Sequence, residues 1–383
     1  MRDSHRIAPY LDALRELAPL IAEQRASFDR DRRLPEGLFA ALARTGFFRL
    51  WLPKSLGGAE LSPFEFMEVV EAASALDGSV GWIVGNGGGM SRIGGYLPAS
   101  VARAWFASPS MYCVSATGAV GTAVPVEGGY RVSGTWPFGS GAHYASHFMG
   151  LASVKDAAGN SQPPMCCYFA REQVTVRDTW HVSGLRGTGS CDFEVRDGFI
   201  PADQAHPFLE PAPSDPGILY RLPPLSMFAW TVSVVPLGIA RGALDAFAQS
   251  ASRKTRLGTA AAIRDREIVQ SMIGRIDIEH RAARGLLVEA MTELMAATDV
   301  GGERLLRARG LFRATCAHAG EAAVRIVERL AAEAGASAIY ESNPLERAVR
   351  DVHAAVKHVA MNPSSYIVAG QLALGLPPGP GRF

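Results

Sequence analysis

The sequence of 383 residues has little that points to nucleic acid, secretion or a membrane. Its 38 basic and 37 acidic residues nearly cancel, so no charge excess favours nucleic acid or an anionic membrane surface. The five cysteines include no CxxC pair, which argues against a disulfide framework and a zinc site. The charged N-terminus lacks an apolar signal segment, and no run of about 18 apolar residues predicts a membrane span. We therefore expect a cytoplasmic protein without nucleic-acid, membrane or metal partners.

Two nucleotide-binding motifs are missing as well. The sequence contains neither the GxGxxG fingerprint of a Rossmann dinucleotide site nor the GxxxxGKS/T motif of a P-loop. A nicotinamide site or a nucleoside triphosphate site of these kinds is therefore not predicted. Internal repeats and low-complexity tracts are absent from the sequence too.

Three regions with different apolar periodicities follow one another along the chain. Residues 1–107 have helical spacing and predict an N-terminal helical domain. Residues 108–215 alternate apolar and polar positions in short runs divided by glycine and proline, which predicts a β-barrel domain. Residues 216–383 return to helical spacing and predict a C-terminal four-helix bundle. The expected fold is α+β and multidomain, with bundle helices near 226–253, 259–298, 302–334 and 345–374.

Local signals mark individual helices in the first region. Ser62 and Glu65 have the spacing of a capping box at a helix start. The run from Gly85 to Gly89 would cost a helix about 1 kcal/mol per glycine relative to alanine. This cost predicts that something approaches the run closely, either a neighbouring element or a substrate.

The stretch from Tyr130 to Gly150 carries the strongest signal for a ligand. Two aromatic residues, Trp136 and Phe138, precede a turn in which Ser140 lies between two glycines. Aromatic faces together with one hydroxyl suit a flat polar heterocycle such as a flavin. The alternative is an ordinary β-hairpin with core aromatics. His143 and His147 are four residues apart, a metal-ligand spacing that matters only on a helix, whereas the flanks indicate strand.

The order of the three regions resembles the acyl-CoA dehydrogenase superfamily. The motifs that carry the resemblance are Tyr112-Cys113-Val114-Ser115, Trp136 to Ala142, Arg253-Lys254-Thr255, Gln270 and Arg350-Asp351. The resemblance implies that Ser115, Trp136, Phe138 and Ser140 hold the flavin ring. It further implies that Arg253 and Gln270 reach the phosphates and ribose of a neighbouring subunit's flavin, in a homotetramer. Without the resemblance, Arg253 would be interpreted as a surface cation.

The C-terminal window distinguishes two branches of this superfamily. Dehydrogenases commonly place a catalytic glutamate after the Arg-Asp pair, where this chain has Val359, and a valine cannot abstract a proton. The window resembles the flavin-dependent monooxygenase branch, in which Arg350-Asp351 is followed by a histidine, here His358. This branch implies reduced FMN or FAD from a separate reductase, O2 as cosubstrate, and a flavin 4a-hydroperoxide that oxygenates a small organic substrate.

Several residues receive expected roles from this resemblance and from general chemistry. A serine oxygen, of Ser140 or Ser115, would accept from the flavin N–H that must stay protonated. His358 would donate a proton during oxygen transfer, because an unperturbed histidine has a pKa of about 6.5. Arg350 and Asp351 would orient His358 or serve a structural role. The expected substrate contacts are Trp82, Asn86, Met90 and His143.

Alternatives remain at this point. Phenol-hydroxylating relatives place a histidine after the Gly-Trp pair, and Gly81-Trp82 has none, which argues against a phenolic substrate. An acyl-CoA dehydrogenase could carry a relocated base, for which Glu267, Glu279 and Glu289 are available. A scaffold without catalytic activity would have the same fold. The substrate class stays open among aromatic, heterocyclic and natural-product compounds.

Overall fold

A computed structural model describes residues 5–155, 158–253, 255 and 262–378. The described residues form two compact units, and each unit combines segments that are not adjacent in the sequence. The first contains residues up to 66, 83–182 and 186–227, and the second contains residues 67–82, 183–185 and 228 onwards. The division into three domains, with boundaries at 107 and 215, remains a prediction.

The described part of the N-terminal region contains five α-helices, as the apolar spacing predicts. They are α1 (Ala8–Asp31), α2 (Glu36–Thr45), α3 (Pro63–Leu76), α4 (Gly78–Met90) and α5 (Ala99–Trp105). The capping box at the start of α3 is confirmed, because the Ser62 N–H donates to Glu65 Oε2 at 2.7 Å and the Glu65 N–H donates to Ser62 Oγ at 3.3 Å.

The glycine run lies within α4 and packs against aromatic residues. A Cβ atom at Gly87 would lie 2.4 Å from the ring of Tyr112, and one at Gly88 would lie 2.8 Å from the carbonyl oxygen of Phe47. Any larger side chain would push these neighbours away. Neighbouring residues of the protein therefore make the close approach to Gly87 and Gly88 that the sequence predicts.

The middle region folds into one seven-stranded sheet. Its strands are β1 (Cys113–Val126), β2 (Gly129–Gly139), β3 (His147–Val154), β4 (Met165–Ala170), β5 (Thr175–Arg177), β6 (Cys191–Pro201) and β7 (Ala205–Pro207). The order is β5-β6-β2-β1-β3-β4-β7, with β1 and β3 parallel and the other pairs antiparallel.

The prediction of a barrel is wrong for this sheet. Among the described residues, the edge strands β5 and β7 do not pair with each other, so the sheet is open. Closure requires two long edges in register. Each edge strand here has only three residues, and Pro207 in β7 has no N–H to donate.

The C-terminal region is helical, as predicted. It contains α6 (Ile218–Arg221), α7 (Pro224–Ser233), α8 (Val235–Ala251), α9 (Glu267–Thr298), α10 (Gly302–Ala334), α11 (Pro344–Ala355) and α12 (Ser365–Ala373). Helix α10 packs against α8, α9, α11 and α12. The stretch Pro224–Ala251 is long and apolar enough to cross a membrane, but 83% of its most apolar window is buried, as in the core helix of a globular protein.

The last predicted helix, 345–374, is interrupted. Helix α11 ends at Ala355, a short 3-10 turn spans Val359–Met361, and α12 begins at Ser365. Pro363 lacks the N–H that a continuous helix would need, and it disfavours helical geometry at the preceding residue. His358 therefore stands at the start of a turn, with φ −64° and ψ 139°, and not within a helix.

Candidate functional site

Two turns that carry hydroxyl groups meet beside the end of β2. Ser140 follows β2 and Ser190 precedes β6, and their Oγ atoms lie 2.8 Å apart. The Thr188 hydroxyl continues this row at 2.6 Å from Ser190 Oγ. The turns are also tied through the backbone, since the Gly141 N–H donates to the Thr188 carbonyl at 2.8 Å. The Ser140 hydroxyl is thus held within a row of three and is only 8% exposed.

The Ser140 turn rests on a buried tyrosine. The Tyr112 hydroxyl donates to the Ser140 carbonyl at 3.1 Å, and burial raises the pKa of this phenol well above its usual range. Gly141 has φ +79°, and a Cβ there would lie 2.7 Å from the Tyr112 ring. Only glycine meets both demands, which explains the glycine that follows Ser140. The turn is therefore rigid and preorganised.

Phe138 is exposed beside this turn. It has φ +66°, in a region that residues other than glycine rarely adopt, and its side chain is 66% exposed. Its ring meets Trp180 edge to face at 6.3 Å between centroids. Such backbone strain costs about 1–3 kcal/mol and is typically found at ligand sites. An exposed aromatic face next to a fixed hydroxyl fits a flat heterocycle.

Trp136 has a different environment from Phe138. It is fully buried, its ring stacks on Phe193 at 5.3 Å, and its Nε1–H donates to the Leu151 carbonyl at 2.9 Å. Residues two apart in a regular strand share a face, but the β2–β6 register shifts between Trp136 and Gly139. Trp136 is therefore a core aromatic with no open face for a ligand, which is the alternative considered from the sequence.

His143 lines a small cavity next to the same turns. The cavity has a volume of about 250 Å³ and is lined by Asp31, Arg32, Arg33, His143, Asp178, Trp180 and Cys191. His143 Nε2 lies 3.6 Å from Cys191 Sγ. Burial and the nearby Arg33 guanidinium lower the pKa of His143, so the ring is neutral at pH 7.

His147 does not join His143. It begins β3 and stacks on Trp105 with 4.1 Å between centroids, and burial lowers its pKa to about 4. Within the part of the chain that the structure describes, no group of three His, Cys, Asp or Glu side chains is placed to hold a metal ion.

The remaining predicted flavin contacts are on other elements of the fold. Ser115 is half-buried in β1, opposite Met149 of β3. Arg253 is exposed just after α8. Gln270 is exposed in the first turn of α9, where its side-chain amide donates to the Arg264 carbonyl at 3.1 Å.

His358 has one ring nitrogen committed and one uncommitted. Its Nδ1 accepts from the Ala360 N–H at 3.1 Å, which places the hydrogen of the neutral ring on Nε2. No described residue accepts from Nε2. Burial, and secondly the charge of Arg313, lower the pKa of His358 to about 4. The ring is therefore neutral at pH 7 and offers an N–H donor, in place of the easily exchanged proton expected from an unperturbed histidine.

Trp82 on α4 covers one side of this histidine. The two rings meet edge to face with 5.8 Å between centroids, and Trp82 is 8% exposed. Asn86 and Met90 follow on α4 at intervals of four residues; Asn86 is half-buried and Met90 is buried. The indole provides an apolar wall that limits the access of water to the imidazole.

Arg350 and Asp351 do not orient His358, contrary to one of their predicted roles. Arg350 forms a bidentate pair with Glu346 at 2.6 and 3.0 Å and donates to the Ser183 carbonyl at 3.2 Å. Asp351 accepts from the Leu185 N–H at 2.7 Å. Both residues are on α11, which ends before the turn, so their side chains fasten residues 183–185 instead.

Asp351 also belongs to a buried charge cluster. Arg347 Nε lies 2.7 Å from Asp77 Oδ2 and 3.8 Å from Asp351 Oδ2. Asp77 in turn caps α4, because its Oδ1 accepts from the Ser79 N–H at 2.9 Å. Burial and the like charge of Asp77 raise the pKa of Asp351 to about 7. The cluster holds the start of α4 against α11.

Thr188 and Ser190 were not identified from the sequence. A usable signal was present, because Gly187-Thr188-Gly189-Ser190 repeats the alternation of glycine and hydroxyl residues around Ser140. One of these turns follows β2 and the other precedes β6. Because β2 and β6 pair, the two turns are expected to meet.

Two family models match the chain. The model described as "Acyl-CoA dehydrogenase, N-terminal domain" matches residues 12–96, and the model described as "Acyl-CoA dehydrogenase, C-terminal domain" matches residues 230–363. The first match covers most of the N-terminal helices. The second runs from α7 to the turn that carries His358.

Individual proteins extend the similarity over nearly the whole chain. The indole-3-acetate monooxygenase of Pseudomonas putida is 30% identical, with 97% of this chain and 94% of that protein covered. The oxygenase subunit HsaA of a flavin-dependent monooxygenase from Mycobacterium tuberculosis is 29% identical, with 96% of each chain covered. The solved structure of XiaF from a Streptomyces species in complex with FADH2 and glycerol has a TM-score of 0.89 at 26% identity, and covers 99% of this chain and 98% of that chain.

Proposed function

Because the chain belongs to the acyl-CoA dehydrogenase superfamily, in its branch of flavin-dependent monooxygenases, we propose that it is the oxygenase component of a two-component system. It takes reduced FMN or FAD from a separate reductase and uses O2 to oxygenate a small organic substrate. The observation that carries this proposal is the uncommitted Nε2–H of His358, just before the valine that replaces the dehydrogenase glutamate.

The turn after β2 supports a flavin. The exposed, strained Phe138 provides a face on which a flat ring can stack, and the Ser140 hydroxyl is held in place by Ser190. Bound reduced flavin supplies the electrons that activate O2. We assign stacking to Phe138 and hydrogen bonding to the flavin edge to Ser140, with Ser115 as a second contact. Trp136 supports this turn from the core.

His358 serves as a hydrogen-bond donor. Its neutral Nε2–H can donate a hydrogen bond to an oxygen atom and stabilise the negative charge that develops there during transfer, and the ring keeps its proton. The locked tautomer ensures that the donor is present at neutral pH. Trp82 limits the access of water from one side, which favours transfer to the substrate over loss of hydrogen peroxide.

The dehydrogenase alternative finds less support. Glu267 and Glu289 are exposed on α9, and Glu279 pairs with Arg325 at 2.8 Å. An enclosed carboxylate is what proton abstraction from a thioester would require. None of these three glutamates provides one.

The substrate proposed is a small aromatic or heterocyclic compound. We assign its contacts to Trp82, Asn86, Met90 and His143. An apolar wall with a few polar groups suits such a molecule. The missing histidine after Trp82 argues against phenols, whereas an indole, which is part of the compound named for the Pseudomonas putida indole-3-acetate monooxygenase, needs no phenol base.

A rapid-mixing experiment tests the proposal. Protein loaded with reduced FMN or FAD without air is mixed with oxygenated buffer, and the return of oxidised-flavin absorbance is followed. An oxygenase should delay this return relative to free flavin, because its site excludes water. A protein that bleaches bound oxidised FAD with an acyl-CoA would be a dehydrogenase. A protein without flavin affinity would be a scaffold.

Arg253→Ala should weaken the binding of reduced flavin about ten- to a hundredfold. A charge-assisted hydrogen bond to phosphate contributes about 1.5–3 kcal/mol. Equilibrium titration of reduced flavin in the absence of oxygen measures the effect. Arg275→Ala, a second exposed arginine of the C-terminal region, is the control and should bind flavin normally. Equal affinity in both variants would make Arg253 an ordinary surface cation.

The protein should assemble into a homotetramer, or at least a dimer, through its C-terminal helices. Exposed apolar side chains on these helices support this assembly: Ile268 and Ile278 on α9, Leu311 on α10, and Ile367 on α12. Light scattering at micromolar concentration measures the mass. An active monomer of 40.8 kDa would contradict the assembly.

We place the protein and its reductase in the cytoplasm. All five cysteines are buried and free, which suits a reducing compartment.

A further inference from the structure

Arg313 on α10 is a buried cation with few partners. Arg313 is only 5% exposed. Its Nη2 donates to the Val359 carbonyl at 3.0 Å, while its Nε has no acceptor among the described residues. No carboxylate of the described chain forms an ion pair with it. Buried charges are normally paired because desolvation is costly. A buried arginine without an ion-pair partner in the described chain therefore needs an explanation.

The hydrogen bond that Arg313 donates explains why an arginine is buried here. The carbonyl that it holds belongs to Val359, the residue directly after His358. On the other side of the same turn, His358 Nδ1 accepts from the Ala360 N–H. The Val359–Met361 turn is thus fixed twice, once by the guanidinium and once by the imidazole. We propose that Arg313 is the positioning residue of His358, holding the turn so that Nε2 is left to donate.

The charge of Arg313 adds a second effect. After burial, it is the other cause that lowers the pKa of His358 to about 4. Around the ring, α4 contributes the uncharged Trp82 and α10 contributes Arg313, and no described carboxylate opposes that charge. Arg313 therefore adds to the effect of burial in favouring the neutral ring, whose hydrogen the Ala360 N–H places on Nε2. This inference rests on the proposed role of His358 as hydrogen-bond donor.

The nearby Arg309 provides a matched control. It lies one turn earlier on α10, and burial together with Arg313 lowers its pKa. Its charge is not among the causes that shift His358. Arg309→Met therefore removes an arginine from the same helix whose charge is not among the causes that lower the pKa of His358.

Histidine titration by NMR tests the inference without flavin or substrate. Protein labelled with carbon-13 at histidine Cε1 is titrated, and the His358 signal is assigned by its loss in His358→Gln. We expect a pKa well below 6 in the wild type and in Arg309→Met. Arg313→Met should raise it by roughly one unit, since a like charge is removed, and Arg313→Lys should keep it low.

A functional measurement accompanies the titration. Arg313→Met should lower product formed per O2 consumed several-fold at unchanged flavin affinity, and Arg313→Lys should restore part of it. A wild-type pKa near 6.5, or a pKa unchanged by Arg313→Met, would overturn the inference, and the wild-type value decides even where a variant fails to fold. A raised pKa together with normal coupling in His358→Ala would support the positioning and refute the catalytic role of His358.

Discussion

His358→Ala should still bind flavin and consume oxygen, but form product about 10²–10³-fold more slowly, with hydrogen peroxide released instead. This range is typical for the loss of one hydrogen-bond donor that stabilises developing charge. Alanine removes the Nε2–H, so the activated oxygen is released as hydrogen peroxide before it reaches the substrate. The measurement is product formed per O2 consumed, at matched flavin occupancy, with a substrate found by screening small aromatic and heterocyclic compounds.

His353 offers a control on the neighbouring helix. It lies on α11 and its Nε2 is 3.0 Å from Glu328 Oε1, a partly exposed pair. His353→Ala should leave the ratio of product to O2 unchanged. If His358→Ala also left this ratio unchanged, the role of His358 as hydrogen-bond donor would be refuted. If thermal stability and flavin content fell together instead, His358 would be a structural residue.

The pH dependence of coupling follows from the lowered pKa. With a pKa of about 4, His358 is neutral on both sides of pH 6.5. Coupling should therefore show no inflection between pH 6 and 8 that is due to this residue. An inflection near 6.5 that disappears in His358→Ala would instead indicate an imidazolium donor.

Arg347→Met should destabilise the protein by about 3–5 kcal/mol. Removing one partner of a buried ion pair leaves the other charge poorly compensated, and Asp77 and Asp351 would then lose the guanidinium that lies 2.7 and 3.8 Å from their oxygens. Methionine keeps much of the side-chain volume, so the loss reflects charge more than packing. Denaturant unfolding followed by circular dichroism measures the effect.

Arg350→Met is the matched control for this experiment. Arg350 is on the same helix, but its pair with Glu346 is more accessible to solvent, with side chains 22% and 18% exposed. Pairs of this kind contribute about 1 kcal/mol or less. Equal losses of stability in the two variants would show that the buried cluster contributes no more than a solvent-accessible ion pair.

The raised pKa of Asp351 gives this cluster a pH signature. The folded state binds a proton at Asp351 below about pH 7, whereas the unfolded state binds it only below about pH 4. The contribution of Asp351 to stability is thus complete below pH 4 and is lost as the pH rises to 7. In Asp351→Asn this dependence should vanish, so the stability of the wild type relative to the variant should fall over the same range.

Features that depend on neighbouring residues in the sequence were predictable. The capping box of Ser62 and Glu65 involves residues three apart, and the helical regions repeat their apolar spacing many times. Barrel closure was not predictable, because it depends on two three-residue strands that are far apart in the chain. The break before α12 was readable in principle from Asn362-Pro363, but the apolar spacing on both sides concealed it.

The site shows the same division. Ser140 between glycines could be recognised locally, and the structure holds its hydroxyl in place. The different environments of Trp136 and Phe138 arise from a register shift against β6, which no local pattern reveals. Arg350 and Asp351 adjoin the His358 window in sequence, but the end of α11 separates their contacts from the imidazole.

The open sheet has a consequence for the behaviour of the chain during synthesis and storage. An exposed sheet edge is a template on which a second molecule can add a strand, and so begin an aggregate. Here one edge ends in the charged Arg177 and the other in Pro207, and each edge strand is only three residues long. Neither of these two edge strands offers the long row of unpaired backbone groups that such growth needs. An open sheet with such short edge strands can carry ligand-binding turns at the ends of its strands without favouring strand pairing between molecules.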